Sequence, residues 1–300
     1  MCIRDRVIVN SLPQMAIYSL ATIGIVLIFR TTGTTNFAQG LIATLGTFMT
    51  TQMALYAGLP LWLGLIIGMA VAFLMGIFMD VVLIRNARKI NASGKQMITM
   101  GMLLILSYVI PVIFKNITSN GNLGEVFESG PLTFKLFGVT LTIARNYVYV
   151  IILAILLLAV VFICLKFTKW GLGVRATASN EVVSQMLGIN TKVITAFSWA
   201  ISGALATIAG VFQAGGVALN VTIMSNVQVF GFLACVLGGF NSFFAPIIGT
   251  IIIPLLYNIF GSLPIKNAGM WQTAMTFIVV MILILIFPNG ILGKKTIKKV

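Results

Sequence analysis

The sequence predicts an all-α polytopic membrane protein, on three observations. Hydrophobic residues make up 59% of the 300-residue chain and charged residues only 8%, where a soluble domain carries roughly a quarter charged residues. Mean hydropathy is +1.10, and apolar runs long enough to cross a bilayer recur along the whole length. The cations behind the net charge of +14 gather at the ends of those runs. Membrane topology accounts for that placement, so the lipid bilayer is the implied partner and no nucleic acid is needed.

Taken in order, Met1–Arg6 is polar and alternates in sign, so it reads as a non-native start outside the fold. Leu12–Phe29 is the first span, and Arg30–Asn36 interrupts it. Phe37–Ala57 is apolar but threaded with Thr44, Thr47, Thr50, Thr51 and Gln52. A helix of that kind is expected to face the protein interior or a water-filled path. Hydroxyls bonded to carbonyls four residues back are the alternative. In Leu61–Ile84, Gly64, Gly68, Ala72 and Gly76 recur every four residues. Such a stripe lets a second backbone, from a neighbouring helix or another subunit, approach closely. Asp80 lies one turn before Arg85 and is expected to pair with Arg85 or Arg88.

Met97–Phe114 is the next span, with Pro111 near its end. The connection Lys115–Arg145 holds Glu125 and Glu128, and its alternating run Phe134–Thr140 predicts a short strand or hairpin. Tyr147–Leu165 and Val193–Val217 are spans; Ser202, Ala206 and Gly210 give the latter its own stripe of small residues. Val227–Gly261 is too long for one ordinary helix and is broken at Gly238–Ser242 and Pro246. It predicts two segments joined by a tight turn, either two crossings or a re-entrant pair, and broken helices at membrane depth line enclosed cavities. Trp271–Phe287 is the last span. Residues 1–300 thus form a single transmembrane domain of about eight transmembrane or re-entrant segments.

Cation density orients it. Arg85–Lys95, Lys166–Lys192 and the terminal Lys294, Lys295, Lys298 and Lys299 are expected on the cytoplasmic side, and Lys115–Arg145 outside. The N-terminus is outside if two simple spans precede Leu61, and inside if Arg30–Gly40 is re-entrant.

Between two apolar spans lies the polar stretch 167–192. Gly171 and Gly173 predict a sharp turn. Ser179 or Asn180 offers an N-cap, and Glu181 places an anion in the first turn of a short helix. Val182, Val183, Met186 and Leu187 fall on one side of it, and Gly188 suits its C-terminal end. So short a helix is marginal in isolation and makes sense docked on a partner; a loop lying on the membrane surface is the alternative.

Several chemistries are excluded. The chain has no histidine and five acids, which removes a His-based triad and a His-ligated metal. Cys2, Cys164 and Cys235 lack ligand spacing. Gly94-Lys95-Gln96 lacks the first glycine and the hydroxyl of a P-loop. No cofactor, metal or enzymatic activity is expected. Energy for active transport must come from another subunit or an ion gradient.

Four motifs resemble one family. These are Gly171-x3-Arg175-Ala176 with Asn180 and Gly188-Ile189-Asn190; Asn36-Phe37-Ala38-Gln39-Gly40; Leu237-Gly238-Gly239-Phe240-Asn241-Ser242; and Pro288-Asn289-Gly290-Ile291-Leu292-Gly293. Their order resembles the LivH-type permeases of branched-chain amino-acid ABC transporters. The chain departs from that family's pattern at Gln39, where histidine is usual, and at Asn241, where glycine is usual. The resemblance implies a bacterial or archaeal cytoplasmic-membrane permease for branched-chain or related amino acids. It would work with a second, similar or identical permease, two ABC ATPase subunits and an extracytoplasmic substrate-binding protein. It further implies that Gly171, Arg175, Ala176, Asn180, Val183, Leu187 and Gly188 form a cytoplasmic coupling element. Asn36, Gln39, Gly40, Gly238, Gly239 and Asn241 are expected to line the translocation path. An ion-coupled secondary transporter is the alternative, with Asp80 as the one acid near a span. A non-transporting scaffold is a third reading.

Overall fold

The computed structural model describes residues 3–87, 90–124, 126–127, 130–136, 139–264 and 267–292, and the side chains of these except 3–6, 118–120, 134–136 and 139–142. Met1, Cys2, Arg88, Lys89, Glu125, Glu128, Phe137, Gly138, Gly293 and the terminal lysines lie outside the described residues.

Helix α1 (Ile3–Thr32) is followed by α2 (Gln39–Leu55) and α3 (Leu61–Phe78), which runs into a π-turn at Met79–Ile84. Next come α4 (Ala92–Ile113), the short α5 (Lys115–Asn120) and strands β1 (Pro131–Leu136) and β2 (Val139–Ala144). Where the sequence predicts a short strand or hairpin over Phe134–Thr140, two strands pair antiparallel, Leu136 opposite Val139. The chain continues through α6 (Arg145–Phe167), α7 (Lys169–Ser179), α8 (Glu181–Met186) and α9 (Thr191–Ala214). It ends with α10 (Ser225–Gly238), α11 (Ala245–Gly261) and α12 (Ala268–Ile286). Six of these helices are long and apolar enough to cross a membrane, and α10 and α11 are shorter apolar helices.

Helices α1 and α9 form the middle of the bundle. The most apolar window of α1 is 78% buried and that of α9 67%, against 17% for α4 and 11% for α12. Small residues make the inner contacts possible. Gly64, Gly68, Ala72 and Gly76 are the buried residues of α3. A side chain on Gly68 would run into the Gly46 carbonyl of α2, and one on Gly76 into the Trp199 carbonyl of α9. The stripe therefore meets neighbouring helices of the same chain. The second stripe works the same way: an added Cβ on Gly24 would run against Ser202, and on Gly210 against Thr47.

The packing also answers how the chain begins. Asn10 and Gln14 near the start of α1 share a cavity with Tyr147, Gly215 and Val217 at the hairpin end. Thr31 and Thr32 at its finish share another with Arg85, Lys95 and Lys192. Helix α2 then runs back, and beyond it Tyr56 Oη reaches the Asn116 carbonyl at 3.3 Å. Two antiparallel helices precede Leu61, and α1 starts at the end opposite Arg85, Lys95 and Lys192. The link Gly33–Ala38 nonetheless folds back into the bundle, so α2 begins beside Ser202 in α9.

The Val227–Gly261 segment divides as expected, at Gly239 (φ 100°). Its turn lies beside the finish of α1: Phe240 and Phe29 are 4.1 Å apart, and the Arg30 guanidinium is 5.2 Å from the Phe243 ring centre.

Candidate functional site

Two places concentrate the residues that the sequence singles out. The first is α7–α8. Gly171 and Gly173 do not make a turn: both are buried inside α7. An added Cβ on Gly171 would collide with the Cys164 and Leu165 carbonyls, and on Gly173 would lie 2.7 Å from Ile194 Cδ1. Their smallness lets α7 cross α6 and α9 at close range. The turn falls instead at Thr168, whose Oγ1 donates to the Cys164 carbonyl (2.6 Å) and accepts from the Gly171 N–H (3.0 Å). Threonine as N-cap explains the choice. Arg175 is accordingly helical and not a loop residue, and its guanidinium donates to the Lys166 carbonyl at 3.2 Å. Ala176 accepts the Asn180 N–H at 3.0 Å.

Of the two cap candidates, Asn180 serves. It is extended (ψ 112°), and its Oδ1 accepts the Val183 N–H at 3.1 Å. Helix α8 is closed at Gly188 (φ 81°). Its N–H bonds the Gln185 carbonyl and the Ile189 N–H bonds the Ser184 carbonyl, both at 3.0 Å. That pairing satisfies the last carbonyls and requires a left-handed residue, which glycine adopts freely. Ser184 is the buried residue of α8. Val182, Val183, Met186 and Leu187 are 60%, 48%, 81% and 75% exposed. Caps at both ends thus fix a short helix that presents four apolar side chains outward.

The second place is an amide cluster where α2 begins. A helix starting inside a membrane protein leaves N–H groups that water does not reach. Here side chains supply the acceptors. Phe37 N–H bonds Thr99 Oγ1 of α4 (3.1 Å), Ala38 N–H bonds Asn36 Oδ1 (3.0 Å), and Gly40 N–H bonds Gln228 Oε1 of α10 (2.7 Å). Gln228 Nε2 donates to the Phe37 carbonyl. Asn36 Nδ2 donates to Gln39 Oε1 (3.1 Å), and Gln39 Nε2 to the Ser202 carbonyl (2.9 Å) and Oγ (2.7 Å). Asn36 and Gln39 are both 2% exposed. Gly40 and Gln228 line a cavity of about 140 Å³ with Leu103, Ser107, Thr222 and Ser225.

Gly238, Gly239 and Asn241 lie elsewhere, at the Arg30 end. Gly238 packs on the backbone of Ala245 and Pro246, and an added Cβ on Gly290 (φ 84°) would meet Gly238 and Gly239. Ile291 N–H bonds the Leu237 carbonyl at 2.8 Å. Two motifs distant in sequence thereby become one backbone junction, with Asn241 exposed at its rim. Neither Gln228 nor this junction is announced by the sequence, although an amide in the apolar run Val227–Cys235 is a signal in itself.

Residues 7–287 match the family described as the branched-chain amino acid transport system, permease component. The chain belongs to this family. It is 27% identical over 291 residues to the probable branched-chain amino acid transport permease protein LivH of Methanocaldococcus jannaschii, covering 91% of this chain and 88% of that one. It is 28% identical over 237 residues to the fructose import permease protein FruF of Bifidobacterium longum, covering 77% and 62%. The fold resembles a chain of PsaBC from Streptococcus pneumoniae, solved in complex with a Fab, with a TM-score of 0.52 at 14% identity and 92% and 90% coverage. The permease is a multi-pass membrane protein of the ABC importer class. Within it, α8 exposes four apolar side chains, and the amide cluster bonds the start of the buried helix α2.

Proposed function

We propose that the permease carries branched-chain or chemically related amino acids across the cytoplasmic membrane of a bacterium or archaeon, and that two ABC ATPase subunits drive it through α7–α8. The observation that carries this reading is α8, capped at both ends with Val182, Val183, Met186 and Leu187 turned outward. Short amphipathic helices of this kind fill grooves on partner proteins. The drive is the difference in docking energy between two states, since a partner that binds both equally shifts nothing. A second permease subunit completes the path, and an extracytoplasmic binding protein delivers the solute. Asn36, Gln39 and Gly40, with Gln228, form the part of the path within the membrane; Gly238, Gly239 and Asn241 shape its inner mouth. An ion-coupled mechanism is disfavoured because Asp80, the acid of the described spans, is held by Arg85 at 2.9 Å.

Co-reconstitution tests the reading. Vesicles holding the permease, its genomic-neighbour ATPases and its binding protein should take up leucine, isoleucine or valine only with ATP inside. Uptake of fructose and not of leucine would overturn the substrate class. Uptake driven by an ion gradient without the ATPases would overturn the mechanism. In intact cells, Lys95 should escape an impermeant amine reagent, read by mass spectrometry; its modification from outside would reverse the orientation.

A further inference from the structure

Asp80 sits in a π-turn, and the π-turn is what gives it a partner. In an α-helix, residues five apart stand about 140° apart around the axis. An i→i+5 turn is wider and brings them onto the same side of the helix. Here the Arg85 N–H bonds the Asp80 carbonyl at 2.8 Å, and the Arg85 guanidinium bonds Asp80 Oδ2 at 2.9 Å. The same guanidinium donates to the Lys192 carbonyl at 2.8 Å. The Thr195 hydroxyl lies 3.2 Å from Asp80 Oδ2 and 3.1 Å from the Lys192 carbonyl, and its one hydrogen serves these two acceptors. Both Asp80 and Thr195 are buried. The end of α3 is thus tied at two points to the first turn of α9.

That first turn is also where α8 is attached. Gln185 Nε2 donates to Thr191 Oγ1 at 2.8 Å. Ser184 is the buried residue of α8, and its Oγ donates to the Asn180 carbonyl at 2.8 Å. Glu181 and Gln185 look across a cavity of about 430 Å³ whose other wall holds Asp80, Arg85, Lys95 and Thr195. A displacement of α8 acts on α9 through Thr191 and through α7, whose Gly173 packs on Ile194, and α9 carries α3 with it through Asp80.

We propose that Asp80, Arg85 and Thr195 are positioning residues that make α8, the first turn of α9 and the end of α3 move as one body, so that docking energy at α8 reaches the core of the bundle. Beyond the π-turn, the small-residue stripe of α3 already packs on α2 and α9. The tie therefore joins the docking helix to the helix that opens the amide cluster. This inference rests on the coupling role given to α8 above.

The test uses the reconstituted complex with leucine as probe, and nitroxide labels at the exposed Val82 and Val193. In the parent protein, the distance between the labels should be the same with and without trapped ATP. Thr195→Val and Asp80→Asn should split or broaden it, and should lower leucine uptake about tenfold while ATP hydrolysis stays within about twofold. Thr195→Ser keeps the hydroxyl and should behave as the parent. Because Thr195→Val keeps the bulk and removes only the hydroxyl, while Thr195→Ser keeps the hydroxyl and removes only a methyl group, their contrast decides the matter even if Asp80→Asn does not assemble. An unchanged label distance in Thr195→Val overturns the proposal, as does equal loss in Thr195→Ser. The label measurement needs no transported solute, so a wrong substrate class leaves it readable. If Leu187→Asp releases the ATPases while Thr195→Val behaves as the parent, the tie is wrong and the docking reading stands.

Discussion

Helices α2 and α8 treat their minority residues in opposite ways. Helix α2 lies among apolar side chains and buries Thr44, Thr47, Thr50 and Thr51. Each hydroxyl donates to the carbonyl four residues back, at 2.8–3.0 Å. Helix α8 is in a polar stretch and turns its four apolar side chains outward. A hydroxyl in a helix finds its acceptor in its own backbone, so it needs nothing from outside. An apolar side chain has no such local solution, because only another surface removes it from water. At α8, four apolar side chains are left without such a solution.

The largest expected effect follows from that contrast. Leu187→Asp should release the ATPase subunits from the detergent-solubilised permease and reduce ATP-driven uptake to background, with membrane insertion unchanged. Loss of a buried apolar anchor at an interface costs about 2 kcal/mol or more. Detergent matters here: if α8 merely rests on the bilayer surface, the subunits stay bound in micelles whatever residue stands at 187. Co-purification of the ATPases with the variant would break the comparison.

An intermediate effect is expected at the start of α2. Gly40→Ala places a methyl group where Gln228 Oε1 accepts the Gly40 N–H. Either the amide moves away or α2 shifts, and in both cases a buried N–H loses its acceptor. Leaving such a group unpaired costs about 1–3 kcal/mol. The expected outcome is a thermal midpoint several degrees lower, with the docking of ATPase subunits intact. The companion Gln228→Leu, which removes the acceptor and adds no clash, should do the same. Opposite results for the two would show that shape and not the hydrogen bond governs this junction.

How much of this the chain discloses before folding depends on whether a feature is local. A cap at Ser179 or Asn180, the stop at Gly188, the strand or hairpin near Phe134–Thr140, the α3 stripe and the break after Gly238 each depend on residues close in sequence. All are readable there. Gly171 and Gly173 mislead because a glycine permits a turn and a close helix crossing equally, and only the position of α6 decides between them. Gln228 and Gly290 escape notice because their partners are far away, at Gly40 and Gly239. Of the two partners expected for Asp80, Arg85 and Arg88, the structure pairs it with Arg85, across a π-turn that the sequence does not announce.

The smallest effect is expected at Thr44, and it probes whether the hydroxyls of α2 serve folding or passage. Thr44 is fully buried, and its Oγ1 donates to the Gly40 carbonyl at 2.9 Å. That carbonyl also has the backbone N–H of residue 44 within its helical ladder, so Thr44→Val leaves it an i→i−4 partner. The change removes one hydrogen bond of modest net value and fills the same space with a methyl group. Stability should fall by about 1 kcal/mol or less, read as a small shift in the thermal midpoint in detergent. Transport then separates the two roles. If the hydroxyl only bonds its own helix, the KM for leucine uptake is unchanged. A KM raised severalfold at unchanged stability would mean that the solute touches Thr44, and the path would then extend along α2 beyond Gly40.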